Sequence, residues 1–222
     1  MRFFQPIFIS SLFVQVALSF DWNYINYNQK PLSPIANKVT IKAPPDTDIW
    51  RAEPVKDNFT APYLYTTIRA SEFESVRVTI TAAWKTLYDQ GGLVITFPLE
   101  EGPLRWIKAG IEYADGHPNL GVVATDRLSD WSLSPVTDTS AGNGTVTIEI
   151  ERDTSYAWVY VIEGAQRRVL RQVTWAFSGG AFQEIDVGIY AAKPTRESEE
   201  GREFDSLAVS FSDFVLKTNC AQ

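Results

Sequence analysis

Hydrophobic and polar positions alternate along this chain in short bursts, and no helical stripe of any length interrupts them. In "RWIKAGIEYADG", residues 105–116, Ile107, Ala109, Ile111 and Tyr113 make one row, and Trp106, Lys108, Gly110 and Glu112 make the other. Alternate residues of a strand point to opposite faces. The same period, or a continuous β-branched run, predicts strands at 38–42, 63–69, 75–82, 93–97, 106–113, 120–125, 145–151, 156–162, 167–175, 185–191 and 206–216. Turn chemistry separates them: "PPDTD", "QGG", "ADGHPN", "TSAGNG", "SGG" and "KPTRESEEG". So many short strands without crossover helices imply an all-β sandwich of two antiparallel sheets.

One parity of these strands is an ordinary core: Leu93, Ile95 and Phe97; Ile185, Val187 and Ile189; Val76, Val78 and Ile80. The opposite parity is unusual. If the strands share a sheet, its other face carries Tyr88, Gln90, Trp106, Lys108, Glu112, Asp186 and Tyr190, with Gly92, Gly110 and Gly188 between them. Aromatic rings stack on the apolar faces of sugars, while amide, ammonium and carboxylate groups orient hydroxyls. Glycines would leave a trough open to the backbone. Two other readings stand beside this one: a segment that covers the face and makes Trp106 core, or a solvated face with a Lys108–Glu112 or Lys108–Asp186 ion pair.

Composition narrows the function. Formal net charge is −7, and no dense Lys/Arg stripe is present, so nucleic acid is not an expected partner. The single cysteine, Cys220, excludes an internal disulfide and a thiolate zinc site. The single histidine, His117, sits in "DGHPN", which reads as a turn. The acidic turns "PDTD", "YADG" and "RLSD" lack an ordered calcium spacing. No metal and no cofactor is expected.

The first residues combine Arg2, an apolar run to Leu18 and the small-residue pattern Ala17-Leu18-Ser19. They predict a secretory signal over 1–19, followed by a single domain over 20–222. The competing reading is an N-terminal strand, because Gln5, Pro6 and Gln15 suit a signal poorly. The run is too short and broken for a membrane span. Asn58-Phe59-Thr60 and Asn143-Gly144-Thr145 fit the N-glycosylation sequon, which makes Asn58 and Asn143 candidate sites of a secreted glycoprotein.

Six ordered blocks carry a resemblance: "APPDTDIW" (43–50), "SEFESVRVTI" (71–80), "YDQGGLVITF" (88–97), "RWIKAGIEYADG" (105–116), "SDWS" (129–132) and "IDVGIYAA" (185–192). Together they resemble the DUF1349 family over roughly residues 20–217. The resemblance implies a concanavalin A-like lectin/glucanase fold, a β-jelly-roll sandwich. It includes fungal members, one of them named for regulation of enolase. The family blocks land on Asp48, Trp50, Tyr88, Asp89, Gln90, Trp106, Lys108, Glu112 and Trp131. "DWNYINYNQKP" lacks the Glu of the family's Trp-x-Asn-Glu-Pro block.

Glucanases of that fold use paired carboxylates. Glu149, Glu151 and Asp153 share one strand parity, but they have no aromatic platform and lack the E-x-D-x-x-E pattern, so solvated charges are expected there. Glu112 with Asp186 is a second candidate pair of catalytic acids. The residues favour a non-catalytic, lectin-like, glycan-binding module. The alternatives are a glycan hydrolase or lyase, and an intracellular interaction protein like the enolase-linked relatives.

Overall fold

A computed structural model of the protein describes residues 20–27, 38–52, 56–136, 145–178, 184–197 and 206–219. Its strands are β1 (Asn23–Ile25), β2 (Lys38–Ala43), β3 (Ile49–Arg51), β4 (Asp57–Phe59), β5 (Tyr63–Arg69), β6 (Phe73–Ala82), β7 (Gln90–Phe97), β8 (Arg105–Ala114), β9 (His117–Thr125), β10 (Ser129–Pro135), β11 (Thr145–Asp153), β12 (Tyr156–Glu163), β13 (Gln166–Val173), β14 (Glu184–Ala192) and β15 (Leu207–Thr218). Among the described residues the only helical piece is a single 3₁₀ turn, Ala70–Glu72.

The strands form two stacked antiparallel sheets and one small hairpin. Among the described residues, a seven-stranded sheet runs in the order β1-β5-β14-β7-β8-β9-β10, and a six-stranded sheet in the order β13-β12-β11-β6-β15-β2. The pair β3–β4 joins neither backbone ladder, although the Arg51 amide of β3 donates to the Ser129 hydroxyl of β10 at 2.9 Å. The alternating rows place the core where the sequence puts it. Ile107, Ala109, Ile111, Leu93, Ile95, Phe97, Ile185 and Val187 face Val76, Val78, Ile80, Ile148 and Ile150 between the sheets, all fully buried. Burying one such aliphatic side chain contributes about 1.5–3 kcal/mol, so this layer sets the register of every strand that carries it.

Turn residues close the hairpins. Asp115 (φ 55°) and Gly116 (φ 81°) make the two-residue connection between β8 and β9, a geometry Asp-Gly adopts readily. The turn is therefore narrower than "DGHPN" suggested: His117 is the exposed first residue of β9. Pro118 pairs with Tyr113 of β8, beyond the end of the β10 ladder, so its missing N–H leaves no gap there.

The outward face of the six-stranded sheet is polar and internally paired. Thr79 bonds Thr147 at 2.8 Å and Thr81 bonds Thr145 at 3.0 Å. Arg167 donates to Glu149 at 2.8 Å and also to Glu151, and lies 3.9 Å over the Tyr160 ring. Glu151 and Glu149 hold the Arg167 guanidinium above its ordinary pKa. The Glu149/Glu151 row is thus a surface ion-pair cluster rather than a pair of catalytic acids. Arg171 of β13 reaches across to Asp130 of β10 and fastens the neighbouring edges of the two sheets.

Candidate functional site

The unusual face belongs to the seven-stranded sheet and points away from the core, but most of it is not open. The β3–β4 hairpin lies over one half. Ile49 and Phe59 pack with Tyr63, Val94, Trp106 and Tyr190 in a second apolar cluster. Phe59 meets the Trp106 ring edge-on at 5.9 Å, and the Arg51 guanidinium sits 4.5 Å over the same ring. Arg51 is fixed by Asp57 at 2.8 Å and by the Leu104 carbonyl at 3.0 Å. Trp106 is consequently 0% exposed, and its indole N–H has no hydrogen-bond partner among the described residues.

That corrects the expectation that Trp106 is a ligand platform: it is the anchor under the hairpin. Tyr190 is corrected in the same way. It is buried beside Trp106, and its hydroxyl donates to Gln90 Oε1 at 3.1 Å. Asp186 lies at the far end of the face, opposite Thr96, and accepts from Thr67 at 2.7 Å and Thr96 at 3.0 Å. Thr96 is level with Trp106, while Gln90 is level with Glu112. Asp186 and Glu112 are therefore offset by six residues along the strands, roughly 20 Å, and the candidate Glu112–Asp186 acid pair does not form.

The other half of the face opens into a cavity of about 390 Å³, lined by Asp48, Trp50, Lys56, Tyr88, Gln90, Lys108, Glu112, Trp131, Pro194 and Thr195. Four of the expected residues, Tyr88, Gln90, Lys108 and Glu112, meet here. Asp48, Trp50 and Trp131 join them, and all three stand in the blocks that carried the family resemblance. Lys56, Pro194 and Thr195 complete the lining and bore no pattern that marks a site.

Gln90, Lys108 and Glu112 form the floor. Gln90 faces Glu112 across β7–β8, with Gly92 facing Gly110 next along the ladder and Lys108 beyond. The lysine stem crosses that glycine pair, and Lys108 Nζ donates to Gln90 Oε1 at 2.6 Å. The glycines are needed for the strands themselves: a Cβ at Gly110 would overlap the carbonyl oxygen of Gly91, and one at Gly92 that of Ala109. The glycine row thus serves close strand approach, and the space above it is taken by the lysine rather than left as a trough. On the next strand, Gly121 leaves the room that Glu112 fills, since a Cβ there would lie 3.3 Å from Glu112 Oε2.

Asp48 closes one side. Its Oδ1 accepts from the Ile49 amide at 2.8 Å and from Gln90 Nε2 at 3.3 Å, and lies 3.8 Å from Lys108 Nζ. Three aromatic residues form the upper wall. Trp131 of β10 is 38% exposed and stands edge-on to Trp50 at 6.2 Å and to Tyr88 at 6.4 Å. Tyr88 holds a left-handed backbone (φ 66°), and its amide donates to the Tyr113 carbonyl at 2.7 Å.

Two loops behind this wall are pinned by a buried ion pair. Lys193 Nζ lies 3.2 Å from Asp89 Oδ1, and both residues are sealed from solvent. Asp89 Oδ2 also accepts from the Thr86 amide at 3.0 Å. The pair ties the turn that bears Tyr88 to the segment that bears Pro194 and Thr195.

Burial dominates the electrostatics of the floor. It pushes the Glu112 carboxyl above its usual range, with Lys108 opposing and Asp48 reinforcing the rise. It pushes the Lys108 ammonium down, with Asp48 and Glu112 opposing. The floor and Asp48 therefore present one ammonium, one amide and two carboxyls beneath aromatic faces, and Lys56 adds a second ammonium to the lining. Among the described residues, no trio of His, Cys, Asp or Glu is placed to hold a metal, and no helix is long and apolar enough to cross a membrane. Asn58 is half-buried on β4, whereas Asn143, Cys220 and residues 1–19 lie outside the described residues.

Residues 24–219 match the family described as "Protein of unknown function (DUF1349)". The chain belongs to the DUF1349 family. It is 39% identical over 179 residues to an uncharacterized protein of Emericella nidulans, covering 80% of this chain and 85% of that one. It is 34% identical over 99 residues to "Regulation of enolase protein 1" of Saccharomyces cerevisiae, covering 45% of this chain and 48% of the yeast protein. A crystal structure of a functionally unknown S. cerevisiae protein superposes with a TM-score of 0.71 at 24% identity, over 90% of this chain and 97% of that one. A GH43 protein of Bacillus licheniformis superposes at 0.57 and 15% identity, over 82% of this chain and 33% of the larger enzyme. The chain folds as a concanavalin A-like jelly-roll sandwich of two antiparallel sheets, the fold it shares with part of that GH43 protein.

Proposed function

We propose that this DUF1349 protein is a non-catalytic, lectin-like module that binds a glycan in the Trp50–Tyr88–Trp131 cavity. The observation that carries the reading is the pairing of three aromatic side chains with a floor of amide, ammonium and carboxyl groups in one cavity of about 390 Å³. Rings supply apolar area to sugar faces, and Gln90, Lys108, Asp48 and Glu112 supply donors and acceptors for hydroxyls. The volume falls within the range of about 300–1,000 Å³ usual for small-ligand pockets.

The test is isothermal titration against a panel of neutral and acidic oligosaccharides, repeated on Trp131→Ala. Binding that weakens at least tenfold in the variant, with a melting loss smaller than that of Trp106→Ala, is expected. Binding unaffected by Trp131→Ala, or none across the panel, overturns the reading.

A second reading is favoured by Glu112. A carboxyl whose protonated form is stabilised by burial suits a general acid, and Asp48 shares its cavity, so the same site fits a glycan-active hydrolase or lyase. Turnover of the panel, lost in Glu112→Gln, would establish it. The 34% identity to the yeast enolase-regulation protein favours a third, an intracellular interaction protein. We propose instead that residues 1–19 are a cleaved leader, that residues 20–222 form one secreted domain, and that Asn58 and Asn143 are glycosylated. Intact-mass measurement of the protein from culture fluid, before and after endoglycosidase treatment, decides between the two locations.

A further inference from the structure

The cavity is walled on every side by a different segment. Along the strands, one end is blocked by the β3–β4 hairpin, which brings Trp50 into the wall and seals Trp106 under Arg51 and Phe59. The other end is closed by Tyr88, held by its left-handed backbone and the 2.7 Å bond to Tyr113. Across the strands, Trp131 rises from β10, the outermost strand of the sheet. Opposite it, on the β14 side, stands Asp48, whose neighbour Thr47 is tied to Lys193. Pro194 and Thr195 lie past the Ala192–Gln90 pair and flank Tyr88 at its end, anchored by the buried Lys193–Asp89 pair.

A polymer threaded along the sheet would need two exits. The exit over Trp106 is filled by Ile49, Arg51 and Phe59 of the hairpin, and the sides are flanked by Trp131 and by Asp48. Among the described residues, the site is a pit that opens away from the sheet.

Resting on the carbohydrate reading above, we infer that the pit takes the terminal unit of a glycan chain, end-on, and does not bind internal segments. The polar groups on its floor can be reached only by a ring that has a free end. The chain behind that ring leaves past the Tyr88–Trp131 rim, and this rim is where the half-exposed aromatic area lies.

The test uses xylan, laminarin and carboxymethyl-cellulose, each intact and as an equal mass of its endo-hydrolysed digest, with the corresponding trisaccharides as competitors. Protein bound per gram is measured by depletion. The inference predicts at least tenfold more protein bound by the digest of whichever polymer binds, in proportion to its chain ends, and full displacement by the matching trisaccharide. Equal binding per gram to polymer and digest, with no displacement by the trisaccharide, overturns end-on capture and leaves carbohydrate binding standing. No retention on any polymer or digest, with no heat from any trisaccharide, overturns both.

Discussion

Lys108 Nζ donates to Gln90 Oε1 at 2.6 Å, and both residues are 2% exposed although both line the cavity floor. Each acceptor around the lysine has another donor: Gln90 Oε1 keeps the Tyr190 hydroxyl, and Asp48 Oδ1 keeps the Ile49 amide. Lys108→Met therefore strands no buried acceptor. We expect a loss of about 1 kcal/mol, the net value of one hydrogen bond. That corresponds to a melting shift of roughly 2–4 °C for a chain of this size. Thermal unfolding of the variant checks this; a collapse of the fold would mean that the ammonium holds the floor together.

Asp89 and Lys193 are the opposite case, because removing one leaves the other charged, buried and short of its partner. Lys193→Met should cost about 3–5 kcal/mol. Asp89→Leu combined with Lys193→Met should recover part of that loss, limited by the Thr86 amide that Asp89 also holds. Chemical denaturation of the two variants gives the comparison; a double variant no more stable than the single one would contradict it.

Glu112 should make stability depend on pH in a defined direction. Its folded-state pKa is raised above 4.5 by burial, so the folded state holds its proton longer than the unfolded chain does. The contribution is complete below about pH 4.5 and is lost as pH rises through the folded value. Glu112→Gln is neutral throughout. It should melt above the parent at pH 7, with the gap closing toward pH 4.5; a gap that widens on acidification would reverse the sign.

The two indoles that share the outward parity should behave differently. Trp106→Ala removes a fully buried ring from beneath Arg51 and Phe59 and should cost about 3–5 kcal/mol. Trp131→Ala gives up two edge-on contacts at a half-exposed rim, each worth about 0.5–1.5 kcal/mol beyond its buried area. Melting curves of the pair settle the order; equal losses would mean that the rim is as structural as the anchor.

Gly110→Ala should disrupt the central ladder, because its Cβ meets the Gly91 backbone, which has no rotamer to yield. Gly121→Ala meets Glu112 Cβ at 3.2 Å and its Oε2 at 3.3 Å instead, with no backbone overlap, and should fold with a small local shift while displacing that carboxylate. Proton-exchange protection across β7 and β8 distinguishes the two outcomes.

The long strands were legible in the sequence because their inner rows are unbroken: Val76, Val78 and Ile80 can face only one way once Ile148 and Ile150 stand opposite. The parity of Trp106, Lys108 and Glu112 was legible for the same reason. Their surroundings were not. β1, β3 and β4 have three residues each, too few to show a period, and β10 is an edge strand whose "SDWSLSP" carries no unbroken apolar row. Yet β3, β4 and β10 decide which residues are sealed and which are reachable. Asp48, Trp50 and Trp131 were visible only as members of the family blocks, since no local spacing ties them to Gln90.

Because the β3–β4 ribbon joins neither large sheet's ladder, one wall of the cavity is separable from the scaffold that supplies its floor. The Trp50 position can be rewritten, provided Ile49 and Phe59 still cover Trp106, without altering a single pairing in the sandwich. The cavity can thereby change shape on that side at little risk to the assembly of the fold.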